Sequence, residues 1–516
     1  MELVPGRYPL PFGEVVVTTD PAQLYWGDRR LTDLTPVTEL DVRGMRNRHR
    51  IPGLGAALTA RAVPREDFDV FTSLIAPRAQ VATTMVLRLQ DVHRGIDTGR
   101  LSGALDLYTA DRAETITLDG RQVPLEIDET TPMAVMLAGS PVWKQELWGF
   151  FGRNAVGGEL PILMSLDPYR PGRIPVVFVH GTQSSPARWA DMVNDLLADP
   201  WIRQRYQFWF FFYDSGNPVP YSGMLLRDKL EKAVARMDPQ ERDRCLREMV
   251  VIGHSQGGLL TKLTAVDTGD RIWSRVAKVP LDELPAPPEF RELLRRTMFV
   301  KPVRFVHRLV FVATPHRGSF LTGQRLNGLI RRLVRLPVTL VTLPGATLTR
   351  ARNLFYEQRI GARLPTAVDN MTPGNPFLEA LADEPVAAGV PYHSIIAVKE
   401  SFPVIEDGDD GVVKYRSAHV EGAASELVVR SPHSTQANPH TIQEVRRILH
   451  LHGEALDEAG LRCGIAPHAA PLPHAPPYRP SAVRAGRSRT RAGGSVGRGG
   501  RSDPDEPRAA PNPSAR

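Results

Sequence analysis

Gly253-His254-Ser255-Gln256-Gly257-Gly258 follows the apolar run Met249-Val250-Val251-Ile252 and precedes Leu259 to Val266, where apolar residues recur at helical spacing. A serine between two such segments sits at a sharp strand-to-helix turn. Its hydroxyl then projects from the end of a sheet, and its strained backbone needs neighbours without side chains. Gly253 and Gly257 meet that need. The chemistry on offer is nucleophilic attack at an acyl carbon, because the first N–H groups and the dipole of the following helix favour an oxyanion beside Ser255.

A serine hydroxyl is a weak nucleophile at neutral pH, so Ser255 requires a histidine base and an acid to orient it. A nucleophile elbow of this kind is followed in the chain first by the acid and then by the base. His433 directly follows the strand-like run Glu426 to Arg430 and is the candidate base; His419 is a competitor, while His440, His450 and His452 belong to a helical stretch from Thr441 to His452 or its start. The loop after the preceding apolar run, Tyr392 to Val398, holds Glu406-Asp407-Gly408-Asp409-Asp410-Gly411. Asp410 is the preferred acid, Asp409 the alternative, and Asp407 and Glu406 come behind them. The oxyanion donors expected are the backbone N–H groups of Gln256, after the nucleophile, and of Thr182, in the loop His180-Gly181-Thr182 after the run Ile174 to Val179. His180 precedes Ser255 and reads as a loop-shaping residue rather than a base.

These residues resemble the α/β-hydrolase superfamily and, within it, bacterial lipases and esterases. The resemblance spans about residues 140 to 456 and rests on His180-Gly181, Gly253 to Gly258, Thr314-Pro315-His316-Arg317-Gly318-Ser319, Asp410 and His433. Gly253 to Gly258 and Thr314 to Ser319 together look like the motifs of secreted triacylglycerol lipases, and Thr314 to Ser319 is also similar to a motif of glycosylphosphatidylinositol inositol deacylases. The resemblance implies a Ser-His-Asp triad working without a cofactor. Those lipases usually carry a calcium-binding aspartate near the histidine, whereas Ser431-Pro432-His433-Ser434-Thr435-Gln436 offers no obvious ligand set, so no metal is expected.

The elements that must position these side chains alternate along the chain. Ile174 to His180 reads as a buried strand, and a helix beginning near Ser185-Pro186 carries Trp189, Met192, Val193, Leu196 and Leu197 on one face. Gln207 to Tyr213 is a second strand, a helix is expected around Leu225 to Met237, and His307 to Ala313 is the strand after the elbow. Alternating strands and helices predict an α/β fold with a mainly parallel sheet covered on both faces, its reactive loops at the strand C-terminal ends. Residues about 270 to 305, rich in proline and charge, read as surface helices and loops. A longer insertion, about 320 to 390, mixes arginines with bulky apolar residues between Leu329 and Leu343, and reads either as a lid touching a lipid surface or as a plain cap.

Three domains follow: residues 1–137 as a small β-rich domain, 138–456 as the hydrolase domain, and 464–516 as a disordered tail. In the first, Gly13 to Thr18, Ala82 to Leu89 and Leu105 to Thr109 read as strands, and Thr115 to Ile127 as a hairpin turning at Asp119-Gly120, with Ile116 facing Val123. The tail holds nine arginines against three acids, +6 of the formal +7 of the 516-residue chain, so the remainder is nearly neutral. Without aromatics interleaved among those arginines, a solvated tail is favoured over a nucleic-acid partner. Two cysteines, Cys245 and Cys463, suggest neither a disulfide framework nor a zinc site. No run reaches the length of a membrane span, and residues 1 to 30 lack a signal-peptide core. The chain as it stands therefore reads as cytoplasmic, with export as the alternative if a start lies upstream.

The expected activity is hydrolysis of a carboxylic ester, with an ester or lipid-like substrate. The alternatives are an acyltransferase or thioesterase using the same triad, and an inactive scaffold with a basic binding tail.

Overall fold

The computed structural model describes residues 6–64, 74–76, 79–138, 160–320, 354–355 and 366–464. These belong to one compact unit, Met1–Ala466; a second comprises Pro467–Arg516. The expected tail and the centre of the expected cap, Leu329 to Leu343, lie outside the described residues.

The N-terminal residues form a seven-stranded sheet from β1 (Gly6–Leu10), β2 (Gly13–Thr19), β3 (Tyr25–Trp26), β4 (Arg29–Pro36), β5 (Ala56–Pro64), β6 (Gln80–Gln90) and β7 (Arg100–Thr109). Their spatial order is β1-β2-β7-β6-β5-β4-β3, antiparallel except where β2 meets β7. The hairpin β8 (Thr115–Leu118) and β9 (Arg121–Pro124) has the expected register, Ile116 opposite Val123. Asp119 and Gly120 both take positive φ, 48° and 74°, as a two-residue turn that follows the strand twist requires. This sheet is tied to the rest of the unit by polar contacts, among them Arg203 Nε to Glu114 Oε1 at 3.0 Å, His49 Nε2 to Asp195 Oδ1 at 2.7 Å, and the Arg170–Asp111 ion pair.

The second seven-stranded sheet is the predicted one. Its strands are β10 (Ile162–Ser165), β11 (Ile174–Val179), β12 (Tyr206–Phe212), β13 (Met249–His254), β14 (Val306–Val312), β15 (Tyr392–Val398) and β16 (Ser425–Arg430), in the order β10-β12-β11-β13-β14-β15-β16. All pairs are parallel except β10 with β12 at one edge. Five helices matter below: α1 (Thr130–Ala138), α2 (Ala190–Leu197), α3 (Val219–Met237), α4 (Gln256–Lys262) and α5 (Pro439–Glu458). Successive residues of the central strands go to opposite cores. Val176, Phe178, Val250 and Ile252 pack with α2 and α5, whereas Val177, Val179 and Val251 pack with α3 and α4. Burial on both faces is why these strands are unbroken apolar runs rather than alternating ones. Helix α3 starts six residues before the expected Leu225, because Pro220 is tolerated in a first helical turn whose N–H groups have no intrahelical acceptor. The short edge strand β10 was not anticipated; four residues, ILMS, carry too little pattern to stand out.

Across the sheet, Arg308 on β14 lies between two buried histidines. It donates through Nε to His452 Nδ1 at 3.1 Å and through Nη1 to His393 Nε2 at 2.7 Å. Both rings must be neutral to accept, and their other nitrogens donate, His452 to Glu248 O and His393 to Ser425 Oγ. Burial first, and then the Arg308 charge, brings both pKa values down to about 4.

The expectation about the cysteines is corrected. Cys245, just before β13, and Cys463, just after α5, form a disulfide with both side chains in the core. Their separation of 218 residues hides this in the sequence. The return of α5 along the sheet brings them together, and Arg205 helps by donating to Asp457 and to the Cys463 carbonyl.

Two outcomes are expected. Reduction, or Cys463→Ser, releases a long closed loop and lowers the unfolding free energy by about 5 kcal/mol, read from urea midpoints. The histidine pair contributes stability that is full above pH 6.5 and is lost as pH falls from there to about 4, by about 3 kcal/mol for each ring. Urea titrations across that window in wild type and in Arg308→Met should differ in slope, with the shallower slope in the variant.

Candidate active site

Ser255 joins β13 to α4 at φ 54° and ψ −125°, a conformation that a side-chain-bearing residue adopts only when its surroundings enforce it. The enforcement is close packing. A Cβ on Gly253 would stand 2.4 Å from the Gly257 carbonyl oxygen, and one on Gly257 would stand 2.3 Å from that of Val179. Only glycine at both positions lets helix α4 start directly against β11 and β13. The backbone N–H of Ser255 is used internally, donating to Val312 O at 2.9 Å.

His433 follows β16 and lies with its Nε2 2.9 Å from Ser255 Oγ and its Nδ1 2.7 Å from Asp410 Oδ2. Asp410 is 2% exposed, and its other oxygen accepts the N–H groups of Val412 and Val413 at 2.8 and 2.7 Å. Main-chain bonding reinforces the pair, since the His433 N–H donates to the Asp410 carbonyl at 3.0 Å. The carboxylate accepts from Nδ1–H, so Nε2 is the bare nitrogen and can accept the serine proton. Ser255, His433 and Asp410 are thus brought together within hydrogen-bonding distance, in the chain order expected.

The competing residues are elsewhere. Asp409 turns its carboxylate back to the Gly411 N–H at 2.7 Å, Asp407 pairs with Arg416, and Glu406 is exposed. His419 pairs with Glu426; His440 is exposed at the start of α5; His450 stacks on Trp201 and meets Asp199; and His452 is the partner of Arg308. His180 is fully engaged, donating from Nδ1 to Gly181 O and accepting the Tyr213 N–H at Nε2, and burial brings its pKa down to about 4. It shapes the loop that carries Thr182.

That loop closes on the elbow. A Cβ on Gly181 would fall 2.9 Å from Ser255 Cβ, and the Thr182 hydroxyl donates to Gln256 Oε1 at 2.6 Å. Gln256 opens α4, where backbone N–H groups lack intrahelical acceptors. Among the described residues, no hydrogen bond takes up the N–H of Thr182 or of Gln256. Two free donors beside Ser255, with a helix N-terminus behind them, are suited to a tetrahedral oxyanion.

A third group had a motif but no assigned role. Within Thr314 to Ser319, the Ser319 hydroxyl donates to Val412 O at 2.7 Å, Arg317 donates to His419 O at 2.7 Å, and the Gly318 carbonyl accepts the Ser417 hydroxyl at 2.6 Å. The motif thereby grips the segment that bears Asp410. Its spacing alone could not reveal this, since the partners lie about a hundred residues downstream. His254, inside the elbow motif, was likewise passed over; its Nε2 lies 2.9 Å from the His433 carbonyl oxygen.

No protein-family model matches the chain, and no curated protein matches it. Solved structures similar to it are bacterial lipases and esterases. The Bacillus licheniformis lipase BlEst2 in its mature form is 16% identical with a TM-score of 0.32, over 56% of this chain and 97% of that one. A metagenomic carboxyl esterase, MGS0156, is 14% identical with a TM-score of 0.29, over 55% and 77%. The thermophilic esterase Est2 of Thermogutta terrifontis, with butyrate bound, is 14% identical with a TM-score of 0.30, over 61% and 94%. At these values the overlap carries nothing about this chain's chemistry, which stands on the side-chain geometry alone.

The two acids separate experimentally. Asp410→Asn should slow fluorophosphonate labelling of Ser255 by about 10⁴-fold, since an amide favours the wrong imidazole tautomer. Asp409→Asn should label at the wild-type rate.

Proposed function

We propose that the chain is a serine hydrolase of carboxylic esters built on an α/β-hydrolase fold. The observation that carries this reading is the unbroken line from Ser255 Oγ to His433 Nε2, 2.9 Å, and from His433 Nδ1 to Asp410 Oδ2, 2.7 Å. In the first half-reaction Ser255 Oγ attacks the ester carbonyl while its proton passes to His433 Nε2. The tetrahedral oxyanion is held by the N–H groups of Thr182 and Gln256. Collapse expels the alcohol, which takes the proton from His433, and leaves an acyl-serine. Water then repeats the sequence, His433 removing its proton and returning one to Ser255 as the acid departs. Asp410 orients the ring through Nδ1 and stabilises the imidazolium. No metal or cofactor enters these steps. In this reading the sheet of β1–β7 is a β-rich unit preceding the hydrolase core, and the substrate is an ester of a lipid-like or other acyl chain.

We also infer that the chain works in an oxidising compartment. A disulfide joining the only two cysteines across the core supports the exported alternative over the cytoplasmic one, because such crosslinks persist where thiols are not kept reduced.

Labelling of wild type and Ser255→Ala with a fluorescent fluorophosphonate, followed by p-nitrophenyl esters of increasing acyl length, tests the assignment. Labelling and turnover should both disappear in the variant without loss of folding. Ester hydrolysis that survives Ser255→Ala would sink it.

A further inference from the structure

We propose that His254 is a positioning residue that holds the loop of the base against the nucleophile's own strand. The inference rests on the hydrolase reading of the site and assigns a role to a side chain that the triad does not use.

His254 is the last residue of β13 and is 4% exposed. Its Nε2 faces the His433 carbonyl oxygen at 2.9 Å. A carbonyl can only accept, so Nε2 carries the hydrogen and Nδ1 is bare. Among the described residues that Nδ1 has no hydrogen-bond partner, and it lies against Gly181, 3.0 Å from where a Cβ there would stand. Burial, followed by the neighbouring His433, holds the ring's pKa well below the usual histidine value, so it does not take a second proton beside the base. The ring is also wedged in place, its centroid 4.8 Å from that of His433, with Trp189 meeting it edge-on at 6.4 Å.

The loop of the base is tied elsewhere as well, the Ser431 N–H donating to Val398 O at 3.0 Å and the Ala437 carbonyl accepting from Arg46 Nη1 at 2.7 Å. The His433 N–H goes to Asp410 O, and the His433 carbonyl also accepts the Thr435 N–H at 2.9 Å. Among the described residues, the His254 bond is the one hydrogen bond, besides the Ser255–His433 contact itself, that joins the elbow to this loop. His254 is covalently next to Ser255, so this bond sets the distance between nucleophile and base through a path of two residues. Packing alone does not account for the residue, because an apolar ring of the same size would fill the space without stranding a buried acceptor.

The test uses the full chain, with wild type, His254→Phe, His254→Gln and Ser255→Ala compared for kcat and KM on a p-nitrophenyl ester, fluorophosphonate labelling rate and Tm. The Phe ring keeps the bulk but cannot donate, and it should lower kcat and labelling by about 10- to 100-fold with KM unchanged, the cost of a misplaced base. Gln, whose amide can reach the same carbonyl, should recover most of the loss. Wild-type kcat in the Phe variant, or equal losses in Phe and Gln, would overturn the proposal. If the Phe variant does not fold, ¹⁵N-histidine spectra of wild type decide. His254 should show one Nε2–H tautomer that does not titrate between about pH 5.5 and 8; a titrating ring or an Nδ1–H tautomer overturns the assignment. Failure of the hydrolase reading looks different: wild type itself is unlabelled, or labelling survives Ser255→Ala, and the positioning role then falls with it.

Discussion

A carboxylate removed from water needs other dipoles to replace the solvent it has lost, and the site depends on how this is done for Asp410. The turn from Asp410 to Val413 folds back so that two N–H groups meet one oxygen, leaving the other for His433. That division of labour fixes the imidazole tautomer, and the tautomer leaves the nitrogen that faces Ser255 without a hydrogen. The turn is itself held from outside, because the Val412 carbonyl is bound by Ser319 in a segment that follows β14. Ser255, Asp410 and His433 thus follow the C-terminal ends of β13, β15 and β16, and β14, which lies between β13 and β15, leads into the segment that steadies Asp410.

The same low dielectric that makes Asp410 dependent on its donors governs four buried histidines. His180, His254, His393 and His452 are all buried, and each has its pKa depressed by that burial. Each acts as a neutral connector, giving or taking hydrogen bonds within the scaffold. His433 differs in having a carboxylate on one nitrogen and a hydroxyl on the other. In the proposed mechanism His433 is the ring placed to move a proton, and the partners it meets, rather than the type of residue, set it apart from those four.

Much of this was readable beforehand, for identifiable reasons. The parallel strands announce themselves because burial on both faces leaves runs such as Val176 to Val179 without polar interruption. Ser255 was legible because a glycine-flanked serine between a strand and a helix combines local constraints that all lie within ten residues. His433 followed from chain order, and the Asp119-Gly120 hairpin from the positive φ its turn demands. What stayed hidden depends on distant segments meeting. Asp409 and Asp410 are indistinguishable until the turn's direction is known, the grip of Ser319 on Val412 spans 93 residues, and the Cys245–Cys463 pair spans 218. His254 shows a further limit: its carbonyl partner has no side-chain signature for a sequence to carry.

The disulfide also changes what a cut in the chain would do. Ser255 lies just inside one end of the ring that it closes, and Asp410 and His433 lie near the other. A protease that nicked the backbone anywhere between residues 255 and 410 would produce two fragments on paper but one covalent molecule in solution. The serine and its partners would stay attached through sulfur, and each would remain on a strand of the same sheet.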